Sequence, residues 1–94
     1  MSIWRADITG ASGIFDVRIN FPSGIVDRHA VVLVSVCEIV IPLTNDLPYK
    51  GNAVLTVHNV VPNDGGFVEL TIDTGQEWSP PIGVRAHFSI EPWS

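Results

Sequence analysis

The sequence predicts an all-β fold, a six-stranded antiparallel β-sandwich. Three observations predict it. Phe67–Asp73 and Ile82–Ile90 alternate apolar and polar residues, and a period of two places alternate side chains on opposite faces of a strand. Turn clusters such as Pro62-Asn63-Asp64-Gly65-Gly66 punctuate the alternating stretches. No segment of useful length repeats with a helical period. Without helices to cover a parallel sheet, two antiparallel sheets face to face are the economical arrangement. The chain has 94 residues, so residues 1–94 form a single domain with no room for a second core.

Each element follows in order. Ile3 to Ile8 is a short first strand with Trp4 on one face, and Thr9-Gly10-Ala11-Ser12-Gly13 is a turn cluster,. Ile14 to Phe21 alternates, with Phe15, Val17, Ile19 and Phe21 on one face and Asp16, Arg18 and Asn20 on the other. Pro22-Ser23-Gly24 ends that strand, since proline cannot donate to a central ladder and glycine permits a turn. Ile25 to Ala30 is irregular. Val31 to Ile41 is rich in β-branched residues and apolar on both faces, with Glu38 the lone charge,. One face carries Val32, Val34, Val36 and Val40; the other carries Val31, Leu33, Cys37, Ile39 and Ile41. Pro42 to Asn52 is a long loop, and Ala53 to Val61 is the next strand. Val68, Leu70 and Ile72 then point inward, as do Ile82, Val84, Ala86, Phe88 and Ile90. Glu69, Thr71, Asp73, Arg85, His87 and Ser89 point outward to solvent.

The strand that is apolar twice over has a consequence. In a two-layer sandwich one face of each sheet meets water. Burying three or four Val, Leu or Ile side chains is worth on the order of 5 kcal/mol as an upper figure, and leaving them wet invites aggregation. A closed symmetric homo-oligomer would cover them. A loop or the N-terminal strand folded over that face is the alternative.

Composition narrows the function classes. The net charge is −5, with only five Lys and Arg; a nucleic-acid binder needs a basic footprint, so none is expected as a partner. The longest apolar run is too short to span a bilayer, and Met1 to Gly10 has no hydrophobic signal core; the expectation is a soluble protein without membrane insertion. The single Cys37 allows no internal disulfide and no multi-cysteine zinc site within one chain,. His29, His58 and His87 are far apart, and they would converge on zinc only if a symmetry axis gathered one from each subunit. No phosphate loop, nucleophile elbow or HExxH motif is present,. Glu69, Asp73 and Glu77 fall where acids sit for solubility, although paired carboxylates are also what glycoside hydrolysis needs. The expectation is therefore no enzyme, no cofactor and no metal.

The loop between the last two strands is more informative. Thr74-Gly75-Gln76-Glu77-Trp78-Ser79-Pro80-Pro81 is polar and proline-stiffened, with one large aromatic. A Trp face packs against the C–H face of a sugar while nearby acids and amides bond to hydroxyls. Trp78 is the candidate stacking platform, with Asp73 and Gln76 as hydroxyl partners and Arg85 assisting. A Trp78 folded back onto its own sandwich, or into a neighbouring subunit, is the competing reading. Trp4 and Trp93 read as terminal packing residues.

From Arg18 onward the order of features resembles the H-type lectin family, the group of snail agglutinin and the discoidin C-terminal domains. Ile19-Asn20-Phe21-Pro22-Ser23 resembles the segment before that family's central strand, and Ala30-Val31-Val32-Leu33-Val34-Ser35-Val36 its Val-rich strand. Val60-Val61-Pro62 followed by Gly66-Phe67 is similar to the opening of its fifth strand, and Ile82 to Ile90 to its final strand. The resemblance implies a six-stranded sandwich assembled as a trimer or stacked hexamer, binding galactose or N-acetylgalactosamine between protomers. It implies that Trp78 lies near the family's sugar-binding aromatic, with Ser79 where His is frequent; Asn52 falls where some members carry a sugar-binding Arg, with Lys50 close by, so Asn52 joins the hydroxyl partners and Lys50 the assisting cations. The expected function is thus a multivalent carbohydrate-binding module for a glycan ligand, and for a lectin a secreted or extracellular setting is expected. The alternative is a structural, self-assembling sandwich, such as a viral, phage or adhesion component, without a sugar site.

Overall fold

The computed structural model describes residues 1–40 and 48–93. Six full strands carry the fold: β1 (Ser2–Ala11), β2 (Ile14–Asn20), β3 (Val31–Ile39), β5 (Thr56–Asn63), β6 (Phe67–Asp73) and β7 (Ile82–Glu91); a two-residue strand, β4 (Pro48–Tyr49), lies between β3 and β5. All pairings are antiparallel. One sheet runs β1-β7-β3-β4 and the other β2-β6-β5. The all-β sandwich expected from the alternation is the fold observed. Among the described residues there is no helix, and so none long and apolar enough to cross a membrane.

The core forms where the two central strands face each other. Val68, Leu70 and Ile72 of β6 and Val84, Ala86, Phe88 and Ile90 of β7 are buried, as the alternation requires,. Trp4, Phe21 and Phe88 stack edge to face, with centroids 5.7 and 5.3 Å apart, the arrangement that ring quadrupoles favour. Trp4 is a packing residue as expected; Trp93 is not, being exposed.

Two bulges keep the inward set in phase. In β1 the register slips between Ile8 and Ala11, and Gly10 takes φ 73°. Trp4, Ala6 and Ile8 pack on the core, and so does Ala11, three residues on instead of two. The first strand therefore runs past the predicted Ile8 and absorbs most of the turn cluster. In β5 the register slips between His58 and Val61, and Asn59 takes φ 53°. Val57 and Val60 both pack on the core, which the extra residue makes possible. β5 begins at Thr56, not Ala53, and runs through Pro62 and Asn63. Proline is tolerated there because β5 is an edge strand,.

β3 sits between β7 and the short β4, which pairs only with Glu38 and Ile39. The expected end of this strand at Ile41, and most of the 42–52 loop, lie outside the described residues. The two faces of β3 divide as the sequence predicts. Val32, Val34 and Val36 pack on the core; Leu33 is 67% exposed on the other face. β1 does not fold over that face. It lies in the same sheet and extends it, adding Ile3 at 69% exposure.

Candidate functional site

The β6–β7 loop is built on Thr74 and Gly13. The buried Thr74 hydroxyl lies 2.8 Å from the Gly13 carbonyl and 2.9 Å from the Gln76 carbonyl, so its one proton is shared between them. Backbone bonds from Thr74 N to Gly13 O and from Gly13 N to Gln76 O, each 3.0 Å, close the same ring. Asp73 Oδ1 accepts from Gly75 N at 2.8 Å, a local turn that holds φ 85° at Gly75,. Asp73 and Gln76 thus come together, bordering a shallow cleft of about 370 Å³ with Glu77.

Trp78 does not face that cleft as an open platform. Its indole Nε1–H donates to the Thr74 carbonyl at 3.0 Å and its backbone N–H to Ser12 Oγ at 2.7 Å. The side chain is half-buried. Of the two readings of Trp78, the geometry matches the one in which it folds back onto its own domain, because a buried indole N–H needs an acceptor and the loop carbonyl provides it.

Lys50 and Asn52 border a different cleft, about 540 Å³, between the end of β3 and residues 50–55. Its third polar group is Glu38, which sequence reasoning did not place in a site. The signal was present, as the single charge in a run of eleven residues. Glu38 shares the inward phase of Val32, Val34 and Val36 and pairs with Val84 of β7, but it stands at the end of the sandwich where the core opens. Its carboxylate lies so close to Gly51 that a Cβ there would come within 2.7 Å of Oε1. A side chain at residue 51 would have to push the flexible end of Glu38 aside.

Arg85 requires a correction. The alternation sends it outward to solvent, and it is on the outer face of its sheet, but it is 4% exposed. Asp7, its cross-strand partner on β1, accepts from Nε at 2.9 Å and from Nη2 at 3.2 Å. This two-point geometry fits the planar guanidinium to the carboxylate. Arg85 is committed to the sheet and joins neither cleft. The six candidates therefore separate into Asp73 and Gln76 at the loop with Trp78 behind them, Lys50 and Asn52 at the β3 end, and Arg85 apart.

No family model, curated protein or solved structure matches this chain.

The chemistry available follows from the side chains. At the β3 end an ammonium, an amide and a carboxylate line one opening, and together they donate to and accept from neighbouring hydroxyls. No group of three or more His, Cys, Asp or Glu able to hold a metal ion occurs among the described residues. His87 lies on the outer face of the β1-β7-β3 sheet, in register with Arg5 and Ser35.

Proposed function

We propose that the protein is a non-catalytic, lectin-like carbohydrate-binding module that works as a homo-oligomer, with galactose-type glycans as the first ligands to test. The observation that carries it is the Glu38–Lys50–Asn52 cleft. A half-buried carboxylate beside an ammonium and an amide matches the paired donor and acceptor demand of a polyhydroxylated ring. A half-buried acceptor also gains when a ligand hydroxyl bonds to it. One such shallow site binds at about the millimolar scale. Several on one rigid assembly reach useful avidity, and the exposed Ile3 and Leu33 supply a reason to assemble.

A glycan array probed with the purified protein tests the reading, with Glu38→Gln and Lys50→Ala beside the wild type. The expected result is a galactose-type signal that falls about tenfold in either variant, the loss of roughly one charge-assisted hydrogen bond. Silence across galactose-, glucose- and fucose-type glycans removes it.

A second reading is favoured by one observation, the inward anchoring of Trp78. A self-assembling structural sandwich needs the apolar face and no ligand. Array silence together with an intact oligomer selects it.

A further inference from the structure

The middle of the outer face of the β2-β6-β5 sheet carries a polar cluster. On it lies a cleft of about 270 Å³ bordered by Asp16, Arg18, Asn59, Glu69 and Thr71. Arg18 and Glu69 are directly opposite each other on β2 and β6, where opposite charges normally pair. Here each is turned to a separate anchor. The Arg18 guanidinium carbon stands 3.6 Å above the centroid of the Phe67 ring, and its Nε donates to Asn20 Oδ1 at 3.5 Å. Glu69 Oε1 accepts from Asn63 Nδ2 at 3.2 Å. One row along, Thr71 Oγ1 donates to Asp16 Oδ1 at 2.8 Å. Each carboxylate is thus fixed through one oxygen and keeps a second with its acceptor capacity unspent. The β5 bulge sets Asn59 at the side of the same opening.

The resulting set alternates. Asp16 and Glu69 accept, Arg18 and Asn59 donate, and the Thr71 hydroxyl, its proton given to Asp16, accepts. A metal ion is a poor occupant, with two carboxylates and a guanidinium beside them. A flat aromatic ligand finds no free ring, because Arg18 covers Phe67. Adjacent hydroxyls, each able to donate and accept, match the alternation. We propose that this cleft is a second hydroxyl-binding site, taking neighbouring hydroxyls of a single sugar ring. It rests on the reading of the chain as a carbohydrate-binding module, but it uses a different face and different residues.

Asn59→Gly gives a clean test, because glycine adopts positive φ without steric cost and keeps the bulge while deleting the amide. Asp16→Asn keeps the Thr71 bond and lowers the acceptor strength. The measurement is a titration of backbone amide NMR shifts of the full chain with galactose, and separately with glucose. The expected result is saturable shifts at Asp16, Arg18, Asn59 and Thr71, with a Kd raised at least tenfold in each variant, while the shifts across residues 50–55 keep their wild-type Kd. Shifts confined to residues 50–55 overturn the second site and leave the first reading standing. Shifts at the bulge that neither variant weakens also overturn it. Shifts at the bulge alone sustain the second site and remove the Glu38 cleft; silence at both places overturns both.

Discussion

Arg85 shows what a single residue does to an alternation rule. Its place on β7 was legible, since every second residue of Ile82–Ile90 faces the core and Arg85 does not. Its burial was not, because that depends on Asp7, seventy-eight positions away. Removing one partner of a buried pair weakens the support of the other charge, and that costs more than the pair itself contributes. Asp7→Ala should therefore destabilise the fold by about 3 kcal/mol in urea unfolding. Arg85→Met should cost clearly less, because the stranded Asp7 carboxylate is partly exposed and water can reach it. Equal losses would mean that the pair acts through packing rather than charge. Thr74 makes the same point in the loop. Thr74→Val removes the hydroxyl that bridges two carbonyls at a fully buried position and should lower stability by about 1–3 kcal/mol. Fluorescence of Trp78, which bonds to the same residue's carbonyl, should change in the native state if the loop loosens.

At the scale of elements, β6 and β7 were readable because their apolar positions keep strict phase from end to end. β1 is longer than its alternation predicts because it contains a bulge, and β5 lies further along the chain than predicted because Pro62 and Asn63 stay paired at the sheet edge; β5 also contains a bulge. In Thr56-Val57-His58-Asn59-Val60-Val61 the inward residues Val57 and Val60 are three apart. Uniform alternation instead pairs Val57 with Val61, which is exposed. The cue was Asn59, one of the few residues that tolerate a left-handed backbone. Asn59→Ala should cost about 1 kcal/mol and Asn59→Gly only a few tenths, measured by thermal unfolding. Similar costs for both would mean that the side chain, not the backbone, holds the bulge. The candidate site was only partly legible for a related reason. Asp73 and Gln76 are close in sequence and stay close in space. Lys50 and Asn52 join them only through the resemblance, yet they line a cleft with Glu38, whose position depends on how β3 ends against residues 50–55.

At the scale of the whole molecule, the outer face of the β1-β7-β3 sheet is apolar towards one end and polar beyond it. The β2-β6-β5 face is studded with Asp16, Arg18, Asn20 and Glu69. The β1-β7-β3 face carries Ile3, Ser89 and Leu33 in one cross-strand row, with Met1 beside it, its sulfur 3.1 Å from Ser89 Oγ. Its next two rows are Arg5–His87–Ser35 and the internally paired Asp7–Arg85–Cys37. From strand rise and spacing, three strands of this length offer roughly 500 Å² per copy, and two copies together reach about 1,000 Å², the lower bound of a stable interface. In the assembly proposed above, an interface so close to the threshold would depend on its few apolar anchors. Leu33 stands in contact with solvent in the single chain, so a charge there costs the fold little while placing an unpaired carboxylate in the apolar row of the proposed contact. Leu33→Glu should reduce the mass in solution, measured by light scattering, to that of one chain, and leave the midpoint of unfolding of the dissociated protein near that of dilute wild type. It should leave the affinity of one site for monosaccharide unchanged while lowering the signal on a dense glycan array by at least tenfold, because only the linkage between sites is lost. A wild-type protein that already runs as one chain sinks the assembly argument. A variant that loses monosaccharide binding as well as mass places the sugar at the seam between copies rather than within one.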